Sequence, residues 1–196
     1  MLREKRRIGF FGGTFDPFHS GHLGMAHAAA EALHLDNVSF VPAGQNPLKD
    51  EAPRTSPRQR VDMIRLGIQP YRRYGIWEGE LDRQGLSYTL DTIEHVQRVY
   101  PNCHMFWIIG SDQLPHLPRW YGIEQLVEKV GFILVRRPGF EFSWPGIKGL
   151  SLYPVDNPLM EVSATEIRDR IRRGEPVRGM VPPVVDDYIR RNSLYI

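Results

Sequence analysis

The 196-residue chain is long enough for one sizeable α/β domain, and 41% apolar residues exclude a disordered polymer. A net charge of +2 is too small for an electrostatic footprint on nucleic acid, and no apolar run approaches the ~18 residues of a membrane-spanning helix. Cys103 stands alone, which excludes an intrachain disulfide and argues against a cysteine-built metal site. The basic start MLREKRR is followed by an apolar run that stops at Gly12-Gly13, too short for a signal peptide, so a cytoplasmic protein is expected.

In chain order, RIGFF (7–11) is a short apolar run ending at glycines, which predicts a buried strand. GHLGMAHAAAEALHL (21–35) is rich in alanine and leucine and predicts a helix. VSFVPA (38–43) predicts the next strand. Residues 42–57 lack periodicity, and a loop that long inside a compact domain is usually functional or mobile. Ser56-Pro57 then supplies an N-cap and a first-turn proline for a helix over RQRVDMIRLGI. YGIWEGEL (74–81) alternates like a strand, and SYTLDTIEHVQRVYP carries a cap and a helix stopped by Pro101. CHMFWIIG (103–110) is continuously apolar and predicts a central strand with Cys103 as a small core residue. A short helix at GIEQLVEKV, strands at GFILVRR and LSLYPV with a Pro/Gly loop (136–149) between them, a serine-capped helix at SATEIRDRIRRG and a helix at PPVVDDYIRRN complete the chain. Strands alternating with helices predict a Rossmann-like, doubly wound α/β fold with a mainly parallel sheet and flanking helices, in one domain over residues 1–196.

In such sheets ligands bind beyond the carboxyl ends of the strands, where strand order reverses. GGTFDPFHSGHL (12–23) falls there. Gly12 and Gly13 let the backbone approach a ligand and take up positive φ. A helix starting near Gly21 offers unpaired N–H groups and a positive dipole end, which together make an anion site suited to phosphate. His19 and His22, three apart on that first turn, point toward the same anion. The stretch is neither a Walker A loop nor GxGxxG, and two histidines without further ligands make a poor zinc site, so no protein-built metal site is expected.

GGTFDPFHSGHL resembles the signature of the nucleotidyltransferase superfamily that carries the HxGH motif. The likeness recurs at NPLK (46–49), SYTLDT (87–92), GSDQLPHLPRW (110–120), VSATEIR (162–168) and the closing YIRRNSLY. Taken in this order and at this length, the set is similar to the bacterial nicotinate-nucleotide adenylyltransferases. The resemblance implies that His19 and His22 bind the ATP phosphates, with His22 matching the group that stabilises the transition state. It implies that Gly12, Gly13, Thr14 and Phe15 line the phosphate loop, and that Gly110 and Asp112 meet the adenylate ribose region. Ser163, Thr165 and Arg168 would form a second anion site. The family's second serine is Ala164 here, so one side-chain contact is lost. SATE also reads as an ordinary capping box, Ser163 with Glu166. Trp120 would stack on the nicotinate ring, Thr89 would meet its carboxylate, and Lys49 would close over bound phosphates.

The partners so implied are ATP, with Mg²⁺ on its phosphates, and nicotinate mononucleotide. No nucleic acid and no membrane are expected, and a homo-oligomer is left open. A phosphopantetheine adenylyltransferase is the neighbouring alternative, against which His19 speaks, since that family usually has threonine there. A nucleotide-binding module without catalysis is the alternative from another class.

Overall fold

The computed structural model describes residues 5–45, 52–83, 85–136, 143–156 and 162–196. Six strands, β1 (Arg6–Gly13), β2 (Asn37–Pro42), β3 (Tyr74–Ile76), β4 (Cys103–Gly110), β5 (Gly131–Val135) and β6 (Leu152–Val155), form one sheet in the order β3-β2-β1-β4-β5-β6. Every pairing is parallel. The doubly wound α/β expectation holds. β1 and β4 are central, and strand order reverses between them, because the chain runs outward from β1 to β3 and then returns to β4 on the other side.

The helices are α1 (Ser20–Ala32), α2 (Pro57–Ile68), α3 (Thr89–Val99), α4 (Ile123–Lys129), α5 (Ala164–Arg172) and α6 (Pro183–Arg191), with a 3₁₀ segment at Ser111–Arg119. Side chains of β1 alternate between two cores. Phe11 joins Met25, Ala29, Met63, Ile64, Ile167 and Val185, under α1, α2, α5 and α6. Ile8 and Phe10 join Ile93, Trp107, Leu117 and Leu126, under α3, α4 and the 3₁₀ segment. Both sheet faces are covered, which is why β1 and β4 read as unbroken apolar runs.

Three expectations change. The strand expected over 74–81 stops at Ile76, because β3 is an edge strand that pairs only with Val38–Phe40. Beyond it a turn forms, Leu81 N–H donating to the Glu78 carbonyl, and Glu80 is 5% exposed. α1 ends before His34, whose φ of 48° no right-handed helix continues. Cys103 opens β4 half-buried rather than in the core. The Ser56 cap is as expected, in a full capping box with Gln59 and with Pro57 opening α2.

Candidate active site

A cleft of about 500 Å³ opens at the carboxyl ends of β1 and β4. Gly12, Gly13, Thr14 and His22 line it on the β1 side, Gly110 and Asp112 on the β4 side, and Thr89 and Trp120 farther along. The glycines are there for space. A Cβ on Gly12 would sit 2.5 Å from Trp107 Cζ2, and one on Gly13 would sit 2.9 Å from the Phe15 ring. Neither glycine takes the positive φ expected of it. Phe15 does, at 54°, so the turn's strain falls on an aromatic residue that is 1% exposed.

His19 and His22 cap α1 reciprocally. The His22 N–H donates to His19 Nδ1 at 3.4 Å, and the His19 N–H donates to His22 Nδ1 at 3.3 Å. The two rings stack with centroids 3.6 Å apart. The His22 ring also meets the Phe15 ring edge-on at 4.8 Å and lies over Phe18 at 5.8 Å. An Nδ1 that accepts leaves the proton of a neutral ring on Nε2, so His22 carries a fixed donor on the cleft wall. His19 is 2% exposed and is not among the lining residues.

α1 offers fewer open amides than the sequence suggests. The Ser20 N–H donates to the Met180 carbonyl at 2.9 Å, and the His22 N–H is taken by His19. The more open helix start is α3. Its N-cap Tyr88 makes no side-chain capping bond, while Tyr88 and Thr89 both line the cleft. Ser87, one residue before Tyr88, accepts the Gly44 N–H at 3.0 Å. Trp120 is half-buried beside this start, packed edge-on to Phe132, and its indole N–H is buried without a hydrogen-bond partner among the described residues. A buried donor of this kind is costly unless something accepts from it.

Ser163, Thr165 and Arg168 lie beside the cleft rather than in its wall. The Val162 carbonyl lies 3.6 Å from where a Gly21 Cβ would sit, so the starts of α5 and α1 abut. Ser163 Oγ caps Glu166 N–H at 3.1 Å, but Glu166 pairs with Arg170 rather than completing a box. Arg168 donates to the Asp16 carbonyl at 2.8 Å and to Thr165 Oγ1 at 3.1 Å. Phe15 packs beneath His22 and is not a lining residue. Asp112 accepts from Gln113 at 2.9 Å. Lys49 lies outside the described residues.

Sequence reasoning missed three groups. Arg60, 1% exposed, donates to the Thr14 carbonyl at 2.8 Å; burial lowers its pKa, and the negative charge of Asp16 pulls it back. Glu80 lines the cleft, accepts from Thr92 Oγ1 at 2.6 Å, and has its carboxyl raised by burial. Tyr88 and Tyr121 pair their rings at 4.6 Å at the cleft's edge. Among the described residues no cluster of three or more His, Cys, Asp or Glu is placed to hold a metal, and no helix is long and apolar enough to cross a membrane.

A strand-end cleft at the point of strand reversal, with a donor-bearing imidazole on one wall and an open helix start on another, defines a nucleotide-binding protein of the Rossmann-like class. A family model described as cytidylyltransferase-like matches residues 10–170. The nicotinate-nucleotide adenylyltransferase of Bacillus subtilis (strain 168) is 39% identical over 193 residues, which cover 97% of this chain and 98% of the relative. The Plasmodium falciparum nicotinic acid mononucleotide adenylyltransferase has been solved complexed with NaAD and complexed with APC. Those structures superpose with TM-scores of 0.82 and 0.80 over 97% of each chain at 20% identity, a likeness of fold. The chain belongs to the cytidylyltransferase-like nucleotidyltransferases and, among them, to the nicotinate-nucleotide adenylyltransferase family.

Proposed function

We propose that this chain transfers the adenylyl group of ATP to nicotinate mononucleotide, giving nicotinate adenine dinucleotide and pyrophosphate, a step of NAD biosynthesis. One observation carries the reading at the site. A single cleft holds His22 and the glycine end of β1 at one place, and the open start of α3 with Trp120 at another. The first suits the triphosphate. The second suits a flat ring bearing a carboxylate, which helix-start amides favour over an uncharged amide group.

The nucleophile is the 5′-phosphate of the mononucleotide, whose second pKa near 6 leaves it largely dianionic at neutral pH, so no general base is required. Its oxygen bonds to the α-phosphorus of ATP in line. The bond from that phosphorus to the bridging oxygen breaks, and pyrophosphate leaves with the electron pair. The protein's task is to align two repelling anions and to meet charge as it develops. In this reading His22 Nε2–H donates to the α-phosphate oxygens in the transition state, and His19, Gly12, Gly13, Thr14 and Phe15 shape the loop beneath. Gly110 and Asp112 meet the ribose region, Ser163, Thr165 and Arg168 border the phosphates, and Lys49 closes over them. Thr89 and Trp120 hold the nicotinate. When bound with ATP, Mg²⁺ would supply neutralisation of the phosphate charge beside His22 and the β1 loop.

We place residues 1–196 in one nucleotidyltransferase domain working in the cytoplasm. Pyrophosphate release tests the function. ATP with nicotinate mononucleotide should give rapid release and a product of dinucleotide mass, and nicotinamide mononucleotide should react more slowly. Release with phosphopantetheine instead, or ATP binding without turnover on any of the three, would replace this reading.

A further inference from the structure

Asp16 belongs to the motif of the β1 loop, yet it does not line the cleft. It is 4% exposed and accepts four hydrogen bonds from distant parts of the chain. Oδ1 accepts from Thr55 Oγ1 at 2.6 Å and from the Tyr195 hydroxyl at 2.6 Å. Oδ2 accepts the Arg54 N–H at 2.6 Å, and its carbonyl accepts from Arg168 at 2.8 Å. Burial and the negative charge of Asp16 push the Tyr195 phenol far above its ordinary pKa, so its hydroxyl remains a donor. Asp16 directly follows Phe15, the left-handed residue whose ring abuts His22. A non-glycine residue keeps such a conformation only where its surroundings over-determine it. Here the surroundings are the segment before α2 and Tyr195, joined through the Asp16 carboxylate, and Arg168 of α5, bound to the Asp16 main-chain carbonyl.

We propose that Asp16, locked by the Tyr195 hydroxyl, is a positioning residue that holds the Thr14–Phe15 turn and thereby aims the His22 imidazole at the reacting phosphate. The inference rests on the adenylyl-transfer reading for its kinetic part. Tyr195 touches no reacting atom in this account. Its hydroxyl acts through Asp16 and Phe15, so its loss lowers kcat while leaving the KM for ATP little changed.

The test is Tyr195→Phe, which removes only the hydroxyl, with Thr55→Val as a second way to take one donor from the same oxygen. Each should lower kcat about tenfold, the low end for losing a hydrogen bond to a charged acceptor. In a His22→Ala background the same substitution should change kcat hardly at all, because the group it aims is gone. Equal factors in both backgrounds, or an unchanged kcat in both variants, overturn the proposal. Hydrogen exchange supplies a readout apart from activity. Amides of residues 11–18 should exchange faster in Tyr195→Phe while those of β5 do not. Unchanged exchange in 11–18 overturns the lock whatever the kinetics. If the unmodified chain makes no pyrophosphate with nicotinate mononucleotide, the functional reading fails, and the exchange result alone decides the lock.

Discussion

His22 has two roles in this structure, as a cap and as a donor, and His22→Ala separates them by magnitude. The substitution removes the 3.3 Å bond from the His19 N–H and the ring contacts with His19, Phe15 and Phe18. A long capping bond sits in the lower half of the usual range of about 0.5–2 kcal/mol, and the ring contacts add about 0.5–1.5 kcal/mol. Together these amount to roughly 1–3 kcal/mol, a fall in Tm of about 2–12 °C for a chain of this size. Against a typical stability of about 5–15 kcal/mol, that loss leaves most of the enzyme folded at room temperature. Unfolding therefore cannot imitate the chemical effect, which for one preorganised donor is about 10²–10³ in kcat. The assay is the initial rate of pyrophosphate release at saturating ATP and nicotinate mononucleotide, beside a thermal melt and the Kd of a non-hydrolysable ATP analogue. A lower Tm with kcat within about threefold of the parent would make His22 a cap and remove it from the chemistry.

What the sequence makes legible follows the range of the forces involved. Strands β1 and β4 announce themselves because both sheet faces are buried, so apolar character runs unbroken to a terminal glycine. The caps at Ser56 and Ser163 are legible because a cap is settled within four residues. The cleft is placed correctly because strand reversal falls between the two most recognisable strands. What is hidden depends on distant partners. Nothing near Ser20 reveals that its amide is taken by Met180, or that Arg168 and Tyr195 converge on Asp16 from 152 and 179 residues away. Gly12 and Gly13 read equally well as turn-makers or as spacers, and only Trp107 and Phe15 decide between the two. The alternation in YGIWEGEL fits a strand with an outward acid, whereas the chain turns and buries Glu80 against Thr92.

Four further outcomes follow from the geometry. Gly12→Ala drives a Cβ into Trp107, which is 3% exposed; overpacking of this kind costs about 1–3 kcal/mol, and an unchanged melt would show that the ring can yield. Trp120→Ala should abolish most of the tryptophan quenching produced by nicotinate mononucleotide and raise its KM, whereas Trp120→Phe should recover part of the KM; unaltered kinetics in Trp120→Ala would end the stacking role. Arg168→Ala frees the Asp16 carbonyl and Thr165 together, so both Tm and the KM for ATP should worsen, while Thr165→Val should affect the KM more than the Tm; a change confined to Tm in both would make the start of α5 purely structural. Glu80 gives a pH dependence whose sign is fixed. Burial raises its carboxyl, and hydrogen bonds from Thr92 and Ser87 and the charge of Arg83 only partly reverse this. A carboxyl raised on folding binds its proton more tightly in the native state, so its contribution is full below the unfolded value of about 4.3 and is lost as pH climbs through the folded one. Glu80→Gln keeps an acceptor for Thr92 and has no proton to lose. The Tm of the parent relative to Glu80→Gln should therefore fall as pH rises from about 4 to about 8, and a difference that stays constant or rises would mean that the carboxylate is better solvated than its 5% exposure implies.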